Sequence, residues 1–192
     1  GDPILYESED DMVSKYICNK ALLEKELIEV AGKYSIPYTI ARPAFIYGPF
    51  NYAPRESWYI EKIAHNKPID VLTDGTAHFN FAYVVDVSTA MMKFIGNEKA
   101  YNQIFNISNP EVITEKRFVE KLDELHGTPI PKIEHTVQEV LANNIAIPWP
   151  LTDDELYDGS KFAETFGYEY TPFDEGMRKA YKSFMNVYGP RQ

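Results

Sequence analysis

No two of the ten glycines stand one residue apart, so the 192-residue chain holds no G-x-G-x-x-G loop. Without such a loop the backbone cannot approach a pyrophosphate closely at a helix N-terminus. These residues alone are therefore not expected to form a conventional dinucleotide site. Cysteine is as scarce: Cys18 is the single one, which excludes an internal disulfide and favours a reducing compartment. No apolar run approaches the roughly 20 residues that span a bilayer, and the acidic lead-in of residues 1–11 lacks the basic-then-apolar order of a secretion signal. Lys and Arg number 19 against 29 Asp and Glu, a net charge of -10, and form no run. That balance disfavours a nucleic-acid surface, because phosphate contacts need clustered cations. The histidines (His65, His78, His126, His135) are scattered without metal-ligand spacing, so no metal is expected. A soluble cytoplasmic protein with no membrane partner is the expectation.

What is present is apolar and periodic. At 44% hydrophobic and 14% aromatic the chain is rich enough to bury a sizeable core. Met12, Val13, Tyr16, Ile17, Leu22, Leu23, Leu27, Ile28 and Val30 recur at helical spacing and predict a helix over about 11–33. A buried strand at 38–41 ends at Arg42-Pro43, and a Pro/Gly/Asn-rich loop follows over 43–54. Helices are predicted over 55–65, 85–95, 114–126, 137–142, 160–166 and 173–188, and strands over 69–72, 78–82 and 104–107. Between 128 and 150 the chain is punctuated by prolines. The alternation predicts an α/β fold with a helical second half.

Chemistry concentrates first in Tyr16-Ile17-Cys18-Asn19-Lys20. Four residues apart on a helix, a phenol and an ammonium share one face with their Cβ atoms about 5–6 Å apart. A tyrosine with its ordinary pKa near 10 is a poor base at neutral pH, and a neighbouring cation favours the phenolate. An ammonium also has donors to spare for a pair of ribose hydroxyls. Such a pair suits proton exchange in carbonyl–alcohol chemistry.

The order of a Tyr-x-x-x-Lys helix, then a strand running into Ala41-Arg42-Pro43-Ala44-Phe45-Ile46-Tyr47-Gly48-Pro49, resembles the extended short-chain dehydrogenase/reductase family. Leu72-Thr73-Asp74-Gly75, Phe81-Ala82-Tyr83-Val84-Val85-Asp86-Val87, Phe105-Asn106-Ile107-Ser108 and Asp158-Gly159-Ser160-Lys161 continue the likeness nearly to the end. The resemblance implies a partial Rossmann-type sheet plus a small α/β substrate-binding domain. Residues 1–50 would be the remnant of the Rossmann domain and 51–192 mostly substrate domain, with 84–126 returning to the sheet. It implies the C-terminal part of an NAD- or NADP-dependent epimerase, dehydratase or reductase of a nucleotide-linked sugar, the isolated chain being inactive. Tyr16 and Lys20 would be catalytic and would touch the cofactor, together with the backbone of Pro43, Ala44, Phe45 and Ile46. Phe45, Asn51, Phe79, Asn80 and Tyr83 would face substrate. A homodimer would form through the Tyr-Lys helix and its neighbour.

Two departures qualify the likeness. The family's catalytic Ser or Thr precedes the tyrosine by some two dozen residues, and only 15 precede Tyr16. Nucleotide-sugar members often carry a diphosphate-pairing arginine where Phe79 stands, with Arg55 or Lys62 as compensating cations. Competing readings are a non-catalytic sugar- or nucleotide-binding member and an RNA-associated one, the latter opposed by the acidic charge.

Overall fold

The computed structural model describes residues 12–51 and 53–189; the acidic lead-in lies outside them. The described residues are mixed α/β and divide into two compact units, those within 1–41 with 94–105 and those within 42–93 with 106–192.

The first unit is built on helix α1, Met12–Tyr34, 23 residues without a break. The chain turns at Ser35, with Ile36 N–H donating to Ala31 O (2.9 Å), and enters strand β1, Thr39–Pro43. β1 pairs with β5, Gln103–Ile107. Two bonds hold the approach to this pair: Asn102 N–H donates to Tyr38 O (2.7 Å) and Thr39 Oγ1 donates to Ala100 O (2.7 Å). Phe94 stacks on Phe105 with ring centroids 5.2 Å apart.

The second unit surrounds an aromatic core. Strand β2, Phe45–Tyr47, pairs in parallel with β4, Phe81–Tyr83, and β3, Ile69–Leu72, with β6, Lys132–His135. Helices α2 (Glu56–Ala64), α4 (Glu115–His126) and α7 (Phe173–Tyr188) pack on these strands. Helices α3 (Val84–Phe94), α5 (Val137–Asn143) and α6 (Ser160–Phe166) complete the order. Tyr59, Phe79, Phe81, Phe118 and Trp149 are all buried in one cluster. Phe79 stacks on Trp149 (5.4 Å) while Phe118 meets it edge-on (4.9 Å). Truncating one such ring to alanine costs about 3–5 kcal/mol. Trp149 is thus a packing residue.

Asp86, in the first turn of α3, is fully buried. It accepts from Tyr168 Oη (2.7 Å), Thr171 N–H (3.0 Å) and Thr171 Oγ1 (2.7 Å), tying α3 to the segment between α6 and α7. Thr114 caps α4 by accepting from Arg117 N–H (3.2 Å), and Thr136 and Glu139 form a reciprocal capping box on α5.

Three sequence expectations shift. The loop expected over 43–54 contains β2, a three-residue strand too short for a pattern of its own. The proline-punctuated stretch contains β6, whose side chains are largely exposed and show no apolar alternation; main-chain bonds to β3 make it a strand. The strand expected over 78–82 is a pair of isolated bridges at Phe79 followed by β4 at 81–83.

Candidate functional site

In the first unit Tyr16 and Lys20 lie on the uninterrupted α1, one turn apart and on one side. Both are exposed, Tyr16 at 63%, so the phenol is reachable from solvent. Leu23, Leu27, Val30 and Tyr34 follow at helical spacing, and all are exposed. Cys18, on the opposite side, is buried and fills space.

In the second unit the loop after β1 runs along β4 through the pairs Phe45↔Phe81, Ile46↔Ala82 and Tyr47↔Tyr83. Ala44 N–H donates to Ile107 O (3.0 Å). Pro43 is exposed; Ala44, Phe45 and Ile46 are half-buried. The Phe45 ring meets Phe79 (5.9 Å) and Trp149 (6.2 Å) edge-on, and the Arg55 guanidinium lies 4.7 Å from its centroid. Past the loop the chain turns between Gly48 and Asn51, with Asn51 N–H donating to Gly48 O (3.2 Å). Gly48 has φ +125°, and a Cβ there would stand 2.8 Å from both the Tyr83 ring and Val84 Cγ1, so only glycine fits.

The turn closes on Glu56, in the first turn of α2 and fully buried. Its carboxylate accepts from Gly48 N–H (2.8 Å) and from Asn51 Nδ2 (3.1 and 3.0 Å to the two oxygens). Burial pushes the acid up to about 7, against the pull of these donors and of Arg55. In sequence, Glu56 signals itself only as an acid in a first helical turn soon after a Gly-Pro pair and an asparagine.

The remaining expected substrate contacts are occupied with structure. Phe79 is wholly buried, and its N–H and C=O bond to Ile113 O (2.9 Å) and Ile113 N (2.8 Å). Asn80 is buried and exchanges bonds with Tyr157, donating to its O (2.9 Å) and accepting from its N–H (3.2 Å). It lines a cleft of about 510 Å³ with Val112, Leu156, Tyr157, Ser160 and Tyr170. Tyr83 is buried against Tyr47 (5.4 Å), with Lys179 5.9 Å from its ring. Burial raises its pKa. Of the two compensating cations, Lys62 is committed to Asp70 (2.5 Å) and to the Trp58 ring (3.8 Å). Arg55 stands at the loop. Phe45, Asn51, Phe79, Asn80 and Tyr83 thus fall in the second unit, and Tyr16 and Lys20 in the first. No group of three or more His, Cys, Asp or Glu suited to a metal ion occurs among the described residues. None of their helices is long and apolar enough to cross a membrane.

Residues 3–108 match the NAD dependent epimerase/dehydratase family. The chloroplast stem-loop binding protein of 41 kDa b of Arabidopsis thaliana is 35% identical over 133 residues, 69% of this chain and 34% of that protein. Among solved structures, UDP-glucose 4-epimerase of Thermotoga maritima, with UDP-glucose, gives a TM-score of 0.75 at 21% identity, covering 96% of this chain and 61% of its own. UDP-glucuronic acid 4-epimerase of Bacillus cereus, in complex with NAD, gives 0.70 at 19% identity, covering 90% of this chain and 52% of its own. At these identities the structural likeness carries the fold alone. The chain spans about a third of the curated relative and between half and two thirds of these structures.

Proposed function

Because the chain belongs to the NAD-dependent epimerase/dehydratase family, we propose that it supplies the acid–base part of an NAD- or NADP-dependent conversion of a nucleotide-linked sugar. The observation that carries this reading is the exposed Tyr16 one helical turn from Lys20. Tyr16 exchanges a proton at its Oη with a substrate hydroxyl or carbonyl oxygen. Lys20, one turn along, would donate to the ribose hydroxyls of a bound cofactor. The backbone of 43–46 would hold the nicotinamide, and Phe45 and Asn51 would border the substrate. When bound, the nicotinamide supplies the hydride acceptor and donor. The residues fit that group in one respect only: a reachable phenol and ammonium share a helix side. With no glycine pair to cradle a pyrophosphate, the 192 residues alone bind the cofactor weakly and turn over no substrate.

We further place the protein in the cytoplasm, on its lone buried Cys18, and propose a homodimer through α1.

Tyr16→Phe in the full-length protein tests the assignment, with UDP-glucose and NAD as probes. Removing a positioned proton donor should lower turnover about 10²–10⁴-fold while the far-UV spectrum and melting temperature hold. Turnover equal to wild type would sink the mechanism.

A second reading, recognition of a nucleic-acid stem-loop, is favoured by the identity to the Arabidopsis protein. The net charge of -10 opposes it. A salt titration of stem-loop RNA binding decides: phosphate-dominated binding weakens linearly in log–log form.

A further inference from the structure

The Gly48–Asn51 turn places Pro49 second and Phe50 third. Phe50 adopts φ +65° and is 96% exposed. A positive φ at the third position of such a turn normally calls for Gly or Asn. Here it falls on a bulky residue that gains nothing from burial. Strain of this kind persists only where the surroundings over-determine the backbone.

Glu56 does the over-determining. Its buried carboxylate takes Gly48 N–H at one end of the turn and the Asn51 amide at the other. The same Asn51 Nδ2 also donates to Ile46 O (3.2 Å), and Asn51 Oδ1 accepts from Ala53 N–H (3.1 Å). Glu56 thereby holds one backbone point directly, Gly48, and through the Asn51 side chain two more, Ile46 and Ala53. Starting α2 does not require this, because an exposed acid in the first turn serves the helix dipole without being desolvated.

We propose that Glu56 is a positioning residue that locks the Ile46–Asn51 loop into one strained conformation, so that the loop meets its ligand already ordered. The proposal deepens the function above and rests on its reading that the 43–46 backbone faces the cofactor. Ordering in advance removes an entropic penalty from binding. Losing Glu56 should therefore weaken ligand affinity rather than chemistry.

Amide hydrogen exchange on the full-length protein separates this role from a merely structural one. In Glu56→Ala, protection at Gly48 and Asn51 should fall at least about tenfold, while Phe81 and Ile107 in the strands keep theirs. Glu56→Gln keeps an acceptor for Gly48 N–H and should restore protection to within about threefold of wild type. Affinity for NAD and UDP-glucose should follow the same order, with kcat changing less than KM. Unchanged protection at Gly48 in Glu56→Ala would overturn the proposal. So would a loss spread equally over the strands, or a loosened loop with undiminished affinity. Failure of the acid–base reading shows instead in Tyr16→Phe turnover, which the exchange measurement does not consult.

Discussion

Burial raises the Glu56 carboxyl from 4.5 to about 7, and Glu115, buried with Leu72 N–H as its donor, also to about 7. Below pH 4.5 both the folded and the unfolded chain hold these protons. Between 4.5 and about 7 only the folded chain does, so the stability they contribute is present on the acid side and lost as pH rises through 7. For Glu56 alone, at about 1.4 kcal/mol per pH unit, the loss is about 3.5 kcal/mol at most. Urea unfolding at pH 5 and pH 8 checks this. The wild type should be less stable at pH 8, and Glu56→Gln should narrow the difference. An identical gap in the variant would show that the Glu56 proton is not held by the fold.

At the scale of elements, Asp86 joins α3 to the segment between α6 and α7 through three bonds to Tyr168 and Thr171. Asp86→Ala leaves three partly buried donors short of an acceptor, and each charge-assisted bond is individually strong. The expected loss is about 3 kcal/mol or more, read as a lower urea midpoint with an unchanged slope. Asp86→Asn should recover part of it. The sequence displayed this residue only as a helix starter, because its partners stand 82 and 85 positions away and leave no local trace. The same distinction runs through the fold. The helices α1, α2, α4, α6 and α7 were legible to within about two residues, since periodicity and caps such as Thr114 are local signals. β6 was not, because its sequence Lys132-Ile133-Glu134-His135 carries no alternation and its strand character comes from β3. The site divides likewise. A Tyr-x-x-x-Lys spacing is visible in one helix, whereas Phe79 sinking into the core and Asn80 pairing with Tyr157 are products of tertiary packing. The role of Glu56 is likewise a product of tertiary packing.

Considered as a whole molecule, the chain carries an unusual surface on α1. Tyr16, Leu23, Leu27, Val30 and Tyr34 are 45–63% exposed and run at spacings of three, four and seven along one side, with Lys20 among them. An apolar stripe of this length normally meets another surface. Light scattering on the isolated chain should give a mass above the 22.1 kDa monomer, and Leu23→Glu combined with Leu27→Glu should return it toward that mass. Charges set in the middle of the stripe are costly to bury without partners, so they oppose any cover. A monodisperse wild-type monomer would count against the stripe as a contact surface. The result bears directly on the chemistry. Tyr16 and Lys20 belong to the same side of the helix as Leu23 and Leu27, so a surface that covers the leucines also closes over the phenol and the ammonium. Excluding water there strengthens the electrostatic interactions that the ammonium makes. The full-length protein with both leucines replaced should then lose turnover more than the remoteness of Leu27 from Tyr16 would imply, and kinetics with UDP-glucose and NAD measure that loss.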